Sequence, residues 1–319
     1  MMEGMLMKQF TACVLGASLL AATGAFAQSS APDSRYYFTG YAELGYYDRG
    51  SSDSPQYRGD VDMGFTLGDS ANGLGFGVSL GIDAVGNDAA NETAFYPALE
   101  FGTGIGKFSI GVPRSVLDRG YFPEPKFGNN SFLDIEFRGV QASALGYFHL
   151  FGDKTPLGIR YDGVFGNTKV GASYHNLERS GNDLDAFAVA VSHTFSGPSS
   201  MIDYMIYGGF EHQSVGTVDE TSYRIGFEGY SDKITAGLSY TDNGFPFGVK
   251  LASLYIDYTI RDALTVTGSL GHADVGGGRN FYGLGVQYDF LKNAYLKASA
   301  VDYDTSPSPV VEVMLGWTF

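Results

Sequence analysis

The sequence predicts an all-β protein: a transmembrane, antiparallel, up-and-down β-barrel of about sixteen strands, with a long third loop folded into its lumen. Three observations predict this fold. Polar and apolar residues alternate along most of the chain, which is the period of a strand. The composition is rich in Gly (45), Tyr (22) and Phe (24) but contains a single Trp. The face opposite the apolar one carries charged side chains in many of these segments.

The first 27 residues are predicted to be a secretory signal peptide. Lys8 precedes a short apolar run, and Ala25-Phe26-Ala27 forms a small-residue cleavage site. The run is too short to span a bilayer as a helix. The only cysteine, Cys13, lies within this segment, so residues 28–319 offer neither a disulfide nor a thiolate metal site. Lipidation of Cys13 is not expected, because most of the apolar run follows it.

The charge of the chain excludes one class of partner. Its formal net charge is −15, and removing the signal peptide with Glu3 and Lys8 leaves that value unchanged. A chain this acidic is not expected to bind nucleic acid. The charge is compatible with a polar cavity that favours cations.

Alternating segments follow one another from residue 36 onwards. In RGDVDMGFTLGD, for example, Val61, Met63 and Phe65 face one way while Asp60 and Asp62 face the other. Such segments occur at 36–47, 58–69, 74–84, 93–103, 106–113, 157–165, 168–176, 186–195, 202–212, 222–230, 233–241, 249–260, 263–272, 280–290, 294–303 and 310–319. Short connectors alternate with longer ones such as SVGTVDE and DTSPSP, which is typical of an outer-membrane barrel with both termini on the periplasmic side.

A soluble sandwich would also alternate, and the charged face argues against it. Charged residues on that face include Glu43, Asp83, Arg160, Glu211 and Glu312. Burying each in a dry core would cost several kcal/mol, so the interior is expected to hold water. The chain ends on VVEVMLGWTF, an alternating strand that runs to Phe319. We expect this strand to pair with the first one, because a barrel in a membrane cannot leave an edge open.

One connector is much longer than the others. Between Pro113 and Pro156 lie 42 residues rich in Phe, Leu and Tyr. Loops of this length are usually functional or disordered, and the apolar content argues against disorder. We therefore predict that residues 114–155 fold against the inner wall of the barrel.

The stretches GKFSIGVPRSVLDRGYF and GIRYDGVFGNTKVGASYHN, together with the terminal Phe319, resemble the sixteen-stranded general diffusion porins of alphaproteobacteria. The resemblance implies a homotrimer in the outer membrane of a Gram-negative bacterium, in contact with its lipid, that passes ions and small hydrophilic solutes. It also implies a pore constriction in which loop carboxylates face basic wall residues. The acidic side would be Asp118, Glu124, Asp134 and Glu136, and the basic side Arg58, Arg114 and Arg160.

Two features depart from that pattern. Strict alternation after Phe108, Ile110 and Val112 turns Arg114 outward. Either the strand ends at Pro113 or Arg114 does not line the constriction. The wall also carries few basic residues, so the field across the pore is expected to be weaker than in a typical member.

Two alternative functions remain open from the sequence. EHQSVG (211–216) resembles the His-x-Ser stretch of outer-membrane phospholipase A, with His212 and Ser214 on one face of a strand. However, Val215-Gly216-Thr217 replaces the Asn-Gly-Arg of that family, and the strands are too many. A substrate-selective channel is the nearer alternative, since Tyr37, Tyr41 and Tyr47 face inward.

The sequence therefore predicts a passive channel and not an enzyme, with no cofactor. The five histidines are scattered without ligand spacing, so no metal site is predicted. Acidic residues of the long loop outnumber its offsetting Arg119 and Lys126, which predicts a weak preference for cations that fades at high salt.

Overall fold

The computed structural model describes residues 34–50, 52–67, 74–87, 91–123, 126–131, 133, 143–152, 154–178, 183–196, 202–244, 248–274, 278–304 and 308–319. The strands are β1 (Ser34–Asp48), β2 (Asp53–Leu67), β3 (Gly75–Asn87), β4 (Asn91–Thr103), β5 (Gly106–Gly111), β6 (Leu157–Phe165), β7 (Thr168–Leu177), β8 (Leu184–Phe195), β9 (Asp203–Val215), β10 (Val218–Tyr230), β11 (Ile234–Asn243), β12 (Val249–Arg261), β13 (Leu264–Ala273), β14 (Arg279–Leu291), β15 (Ala294–Tyr303) and β16 (Val310–Thr318). A helix, α1 (Ala144–Phe151), lies between β5 and β6. The predicted signal peptide lies outside the described residues and stays a prediction.

The strands form a closed antiparallel barrel in which each pairs with its neighbours in the chain and β1 pairs with β16. At this junction Tyr41 lies opposite Thr318 and Asp48 lies opposite Val311. The Phe319 N–H then donates to the Gly40 carbonyl at 2.9 Å. The predicted barrel of sixteen strands and the predicted pairing of the last strand with the first are both confirmed.

The two faces of the wall differ as the alternation predicts. On β14, Tyr282, Leu284 and Tyr288 are exposed on the outer face. On β9, Phe210 is exposed outside while its neighbour Glu211 is fully buried on the inner face. An apolar outer band suits hydrocarbon, and the inner face carries the charge. The helices within the described ranges include none that is long and apolar enough to cross a membrane.

The two rims of the barrel differ in the length of the connections between strands. One connection is shorter than the sequence predicts. At the rim that holds Phe319, tight turns occupy residues 104–105, 166–167 and 292–293. At the other rim, SVGTVDE was predicted as a longer loop, and this is wrong. The pairing of β9 with β10 continues to Val215 opposite Val218, because Gly216, with φ of 63°, permits a two-residue turn.

Candidate functional site

The connection between β5 and β6 begins where the backbone leaves the wall at Gly111. This residue has φ of 131°, and a Cβ there would lie 2.8 Å from the Pro97 carbonyl oxygen. The Val112 N–H donates to the same carbonyl at 2.8 Å. The side chain of Val112 packs with Val85 and Tyr96. The backbone changes direction at Gly111, in a conformation that favours glycine. The alternation of inward and outward side chains therefore ends at this residue. Arg114 therefore belongs to the connection and not to the wall, and it does not point outward.

The first part of the connection, residues 112–123, is called the near arm below. Its Arg114 contacts three wall carboxylates: Asp83 at 2.7 Å, Asp60 at 3.1 Å and Asp62 at 3.5 Å. Its guanidinium also lies 4.2 Å from the centre of the Tyr96 ring. Burial alone would lower the pKa of Arg114, but the carboxylates of Asp83 and Asp60 raise that pKa well above its usual value. Arg114 is therefore a permanent charge that binds the near arm to β2 and β3.

Arg119 adds a second cation to the same cluster. Its Nε lies 2.9 Å from Asp62, and its Nη1 contacts Asp60. About a third of the Arg119 side chain remains exposed. Three aspartates thus share two arginines in this cluster.

Arg160 on β6 binds the near arm through its backbone, whereas the aspartates of β2 and β3 bind its side chains. Its guanidinium binds Asp162 with two nitrogens, Nε at 2.9 Å and Nη2 at 2.7 Å. It also donates to the backbone carbonyls of Arg114 at 3.2 Å and Arg119 at 3.1 Å. Tyr121 donates to the same Asp162 at 2.8 Å. Arg160 is therefore a wall residue, and its donors are directed at loop carbonyls and at a wall carboxylate.

Asp118 joins the near arm to the helix that returns towards β6. It accepts from the Ser143 N–H at 2.6 Å and from the Ser143 hydroxyl at 3.0 Å. Ser143 caps α1, because its hydroxyl accepts from the Gly146 N–H at 3.0 Å. The Ala144 N–H donates to Glu211 on β9 at 3.0 Å, and Ser115 donates to the same carboxylate at 3.1 Å. Two carboxylates thus lie at the positive end of the helix.

Residues 126–131, called the far arm below, contact the other side of the barrel. Lys126 contacts Asp257 on β12, and Asn130 donates to Ser299 on β15 at 3.0 Å. The Ser131 N–H donates to Glu312 on β16 at 2.9 Å, and its hydroxyl donates to Glu43 on β1 at 2.6 Å. Phe127 is fully buried and packs against Phe281 with ring centroids 4.8 Å apart.

Beside the contact of Phe127 with Phe281, the far arm also meets β14 backbone to backbone. A Cβ at Gly283 would lie 2.8 Å from the nitrogen of Gly128, and a Cβ at Gly285 would overlap the Gly128 carbonyl. Gly128 itself has φ of 64°. Only glycine on both sides permits this approach.

These contacts show which strands the connection between β5 and β6 touches. The near arm bonds to side chains of β2, β3, β6, β7 and β9, and the far arm bonds to β1, β12, β13, β15 and β16. The wall groups it contacts lie on the inner face. We infer that the near arm and the far arm, residues 112–123 and 126–131, lie within the lumen.

The charges of this site are more mixed than the pattern that the family resemblance implies. Among the described residues, Asp118 is a carboxylate of the loop and Arg160 is a cation of the wall. The loop also supplies the cations Arg114, Arg119 and Lys126, and the wall supplies their carboxylate partners. Arg58 lies on the same face of β2 as Asp60, two residues away, with its guanidinium 5.1 Å from the centre of the Tyr41 ring. The other proposed loop carboxylates, Glu124, Asp134 and Glu136, lie outside the described residues.

The pairing of β2 with β3 carries a signal for these wall carboxylates that alternation alone does not show. Asp60 and Asp62 share one face of β2, and Asp60 lies directly opposite Asp83 on β3. Like charges in opposite positions destabilise a sheet. Such a pair predicts that a cation from elsewhere in the chain lies between them, and Arg114 fills that place.

The His-x-Ser stretch lies on the outer face of β9. The imidazole Nδ1 of His212 lies 3.1 Å from the Thr221 hydroxyl on β10. Among the described residues, no group of three or more His, Cys, Asp and Glu side chains is arranged to hold a metal ion.

Comparisons with known proteins agree with this architecture. The model of one family, described as Gram-negative porin, matches residues 12–308. Three engineered variants of the porin of Rhodopseudomonas blastica have a similar fold, with 19%, 20% and 19% sequence identity and TM-scores of 0.62, 0.63 and 0.62. Each alignment covers 89% of this chain and 100% of that chain. No curated protein matches the chain.

Proposed function

The chain belongs to the Gram-negative porin family, an outer-membrane family of passive channels, and on that premise we propose that it lets ions and small hydrophilic solutes diffuse through its lumen with a weak preference for cations. The observation that supports this proposal is the combination of a closed barrel, charged groups on its inner face and a segment bonded to opposite walls. Such a segment narrows the passage, so the charges beside it act on every passing ion.

The preference for cations rests on the partly exposed charges beside the near arm. About a quarter of the Asp62 side chain is exposed beside the near arm, whereas Asp60 and Asp83 are buried. Charges are screened over about 10 Å at 0.1 M salt. The exposed Asp62 carboxylate is therefore proposed to favour cations weakly, and the effect should fall as the salt concentration rises.

We also propose that the protein is a homotrimer that acts without a cofactor. The family membership and the resemblance described above support this assembly. Chemical cross-linking of the purified protein in detergent, followed by denaturing electrophoresis, tests it. A ladder that ends at the monomer would contradict the proposed assembly.

Planar-bilayer recording tests the channel. The purified protein is expected to give stepwise conductance in KCl and a small zero-current potential of the cation-selective sign in a salt gradient. Two matched variants sharpen the test, because Asp62→Asn removes a negative charge and Arg119→Gln removes its partner. Asp62→Asn should shift the potential towards anions, and Arg119→Gln should shift it towards cations.

The outcomes separate the two parts of the proposal. Absence of conductance steps would contradict the channel itself. Conductance with an anion-selective potential, or with no shift in either variant, would contradict the assignment of selectivity to the near-arm cluster. The control is Arg261→Gln, which removes an exposed positive charge at the end of β12.

A further inference from the structure

Glu228 on β10 is a lumen-facing carboxylate outside the near-arm cluster. Its neighbour Phe227 is exposed on the outer face of the strand, so Glu228 lies on the inner face, where it is half-buried. In the closed sheet β10 lies eight strands away from β2 in both directions. Glu228 and the partly exposed Asp62 of β2 therefore lie on opposite walls of the barrel.

The strand register orients Glu228 through a tyrosine two strands away. Gly237 on β11 lies opposite Glu228 on one side and opposite Tyr255 of β12 on the other. A Cβ at Gly237 would overlap the Tyr255 ring, so glycine is needed for that ring to lie across β11. The Tyr255 hydroxyl donates to Glu228. This hydrogen bond orients the carboxylate and leaves its negative charge in place.

The cation beside Glu228 is bound by another carboxylate. Lys126 of the far arm contacts Asp257 on β12, and its ammonium lies 5.0 Å from the centre of the Tyr255 ring. Asp257 also accepts from the Thr267 hydroxyl at 2.7 Å. Within the described part of the chain Glu228 forms no ion pair of its own, so two carboxylates here face one lysine.

Arg224 is the cation on the inner face of β10 itself, and its contacts point to the near arm. It precedes Glu228 by four residues. Its guanidinium lies 5.3 Å from the centre of the Phe122 ring and donates to the Pro123 carbonyl. Arg224 therefore binds the connection between β5 and β6.

We propose that Glu228 is a second selectivity-determining residue of the channel, which attracts hydrated cations to the wall opposite Asp62. This assignment rests on the proposed channel function and adds a residue outside the near-arm cluster. The family resemblance implies loop carboxylates and basic wall residues, so a wall carboxylate that acts on passing ions is not part of that pattern. Charges are screened over about 10 Å at 0.1 M salt. Each carboxylate should therefore attract cations along its own side of the lumen, and the two effects should add.

The zero-current potential in a KCl gradient tests the role of Glu228. Glu228→Gln removes the charge and keeps an oxygen that accepts from the Tyr255 hydroxyl. This variant should lower the ratio of potassium to chloride permeability by a factor of about two, the effect of one unit charge about 5 Å from an ion in water at about 0.1 M salt. Glu228→Asp keeps the charge and should keep the ratio. The variant that combines Glu228→Gln with Asp62→Asn should show the product of the two single changes.

A cysteine at this position tests the charge within one folded protein. Residues 28–319 contain no cysteine, so Glu228→Cys introduces a single thiol into that part of the chain. A negatively charged methanethiosulfonate added to the open channel should restore the cation preference, and a positively charged one should shift the potential further towards anions. Asp219→Asn is the matched control, because it removes the same charge from the outer face of β10, opposite Ser214. It should leave the permeability ratio unchanged.

The outcomes separate the role of Glu228 from the channel itself. A shift in Asp62→Asn without one in Glu228→Gln would overturn the role of Glu228 and leave the channel and the near-arm cluster standing. An equal shift in Asp219→Asn would also overturn it, as would thiol reagents that leave the permeability ratio of the Glu228→Cys variant unchanged. Absence of conductance in the unmodified protein would instead contradict the proposed channel.

Discussion

The near arm and the far arm are bound to the wall by different kinds of contact. In the near arm, guanidinium groups of Arg114 and Arg119 bind three aspartates. In the far arm an ion pair of Lys126 with Asp257 accompanies hydrogen bonds of hydroxyls and amides to the wall, Phe127 packs in an apolar cluster, and glycine backbones touch at Gly128 and Gly285. The near arm is therefore held by a buried cluster of charges, and the far arm mainly by neutral hydrogen bonds and close packing. Loss of a charge should therefore release the near arm from the wall, whereas a larger side chain should displace the far arm.

The largest effect is expected from removing the central cation of the near arm. Arg114→Met leaves Asp60 and Asp83 facing each other without it, and breaking a buried pair costs about 3–5 kcal/mol. The near arm should separate from β2 and β3. Single-channel recordings should show larger or unsteady conductance, and the barrel should lose its heat-resistant gel mobility at a lower temperature.

Arg261→Met is the matched control for this variant. Arg261 lies exposed at the end of β12, so its loss should change neither the conductance nor the unfolding temperature. If Arg114→Met behaves like this control, the ion cluster does not hold the near arm.

Packing variants test the far arm. Gly285→Val puts a side chain where the Gly128 carbonyl now lies, and overpacking of this kind costs about 1–3 kcal/mol. We expect the far arm to shift away from β14, which should raise the frequency of current fluctuations with little change in ion selectivity. Gly268→Val is the control, because a Cβ there meets only Ile256 at 3.7 Å. Equal behaviour of the two variants would contradict the proposed backbone contact.

A smaller effect on stability is expected from a change at the start of α1, the helix that precedes β6. Ser143→Ala removes the cap of α1 and one of the two donors to Asp118. Loss of such a cap costs about 0.5–2 kcal/mol. The unfolding temperature should fall slightly, and Ser143→Thr should retain most of the stability because it keeps the hydroxyl. A fall as large as that of Arg114→Met would mean that the helix, and not the ion cluster, holds the segment.

The smallest effect is expected outside both arms. Ser214 and His212 lie on the outer face of β9, away from the connection. Ser214→Ala should leave the conductance unchanged, and the unmodified protein should not release fatty acid from phospholipid vesicles in the presence of calcium. Hydrolysis that disappears in this variant would establish an enzymatic activity and would contradict the assignment of the protein as a channel alone.

The wall of the barrel was predictable from the sequence because alternation is a local property. Val61, Met63 and Phe65 determine which face of β2 meets lipid, and the same pattern in 310–319 predicted the pairing of β16 with β1. The turn after β9 was not predicted, because a single Gly216 with positive φ shortened a stretch whose composition suggests a loop.

The candidate site was predictable only in part, because its contacts join distant residues. Arg114 binds Asp60, which lies 54 residues away, and its direction depends on the turn at Gly111. Strict alternation turns Arg114 outward because it assumes that a strand continues, and the sequence left open whether the strand ends at Pro113. The family resemblance implies acid on the loop and base on the wall, while the described part of the loop carries Asp118 together with the cations Arg114, Arg119 and Lys126.

Because of the glycine contact between the far arm and β14, the residues that each segment can tolerate depend on the other segment. The two segments are encoded by distant stretches of the gene. A relative that acquires a larger residue at position 283 or 285 needs a loop with a different path, and a relative with a different loop no longer needs glycine in that strand. Recombination that exchanges the connection alone between two members of the family should therefore often produce barrels that assemble poorly. Exchange of the connection together with β14 should remove this particular clash, although more than 150 residues separate Gly128 from Gly283.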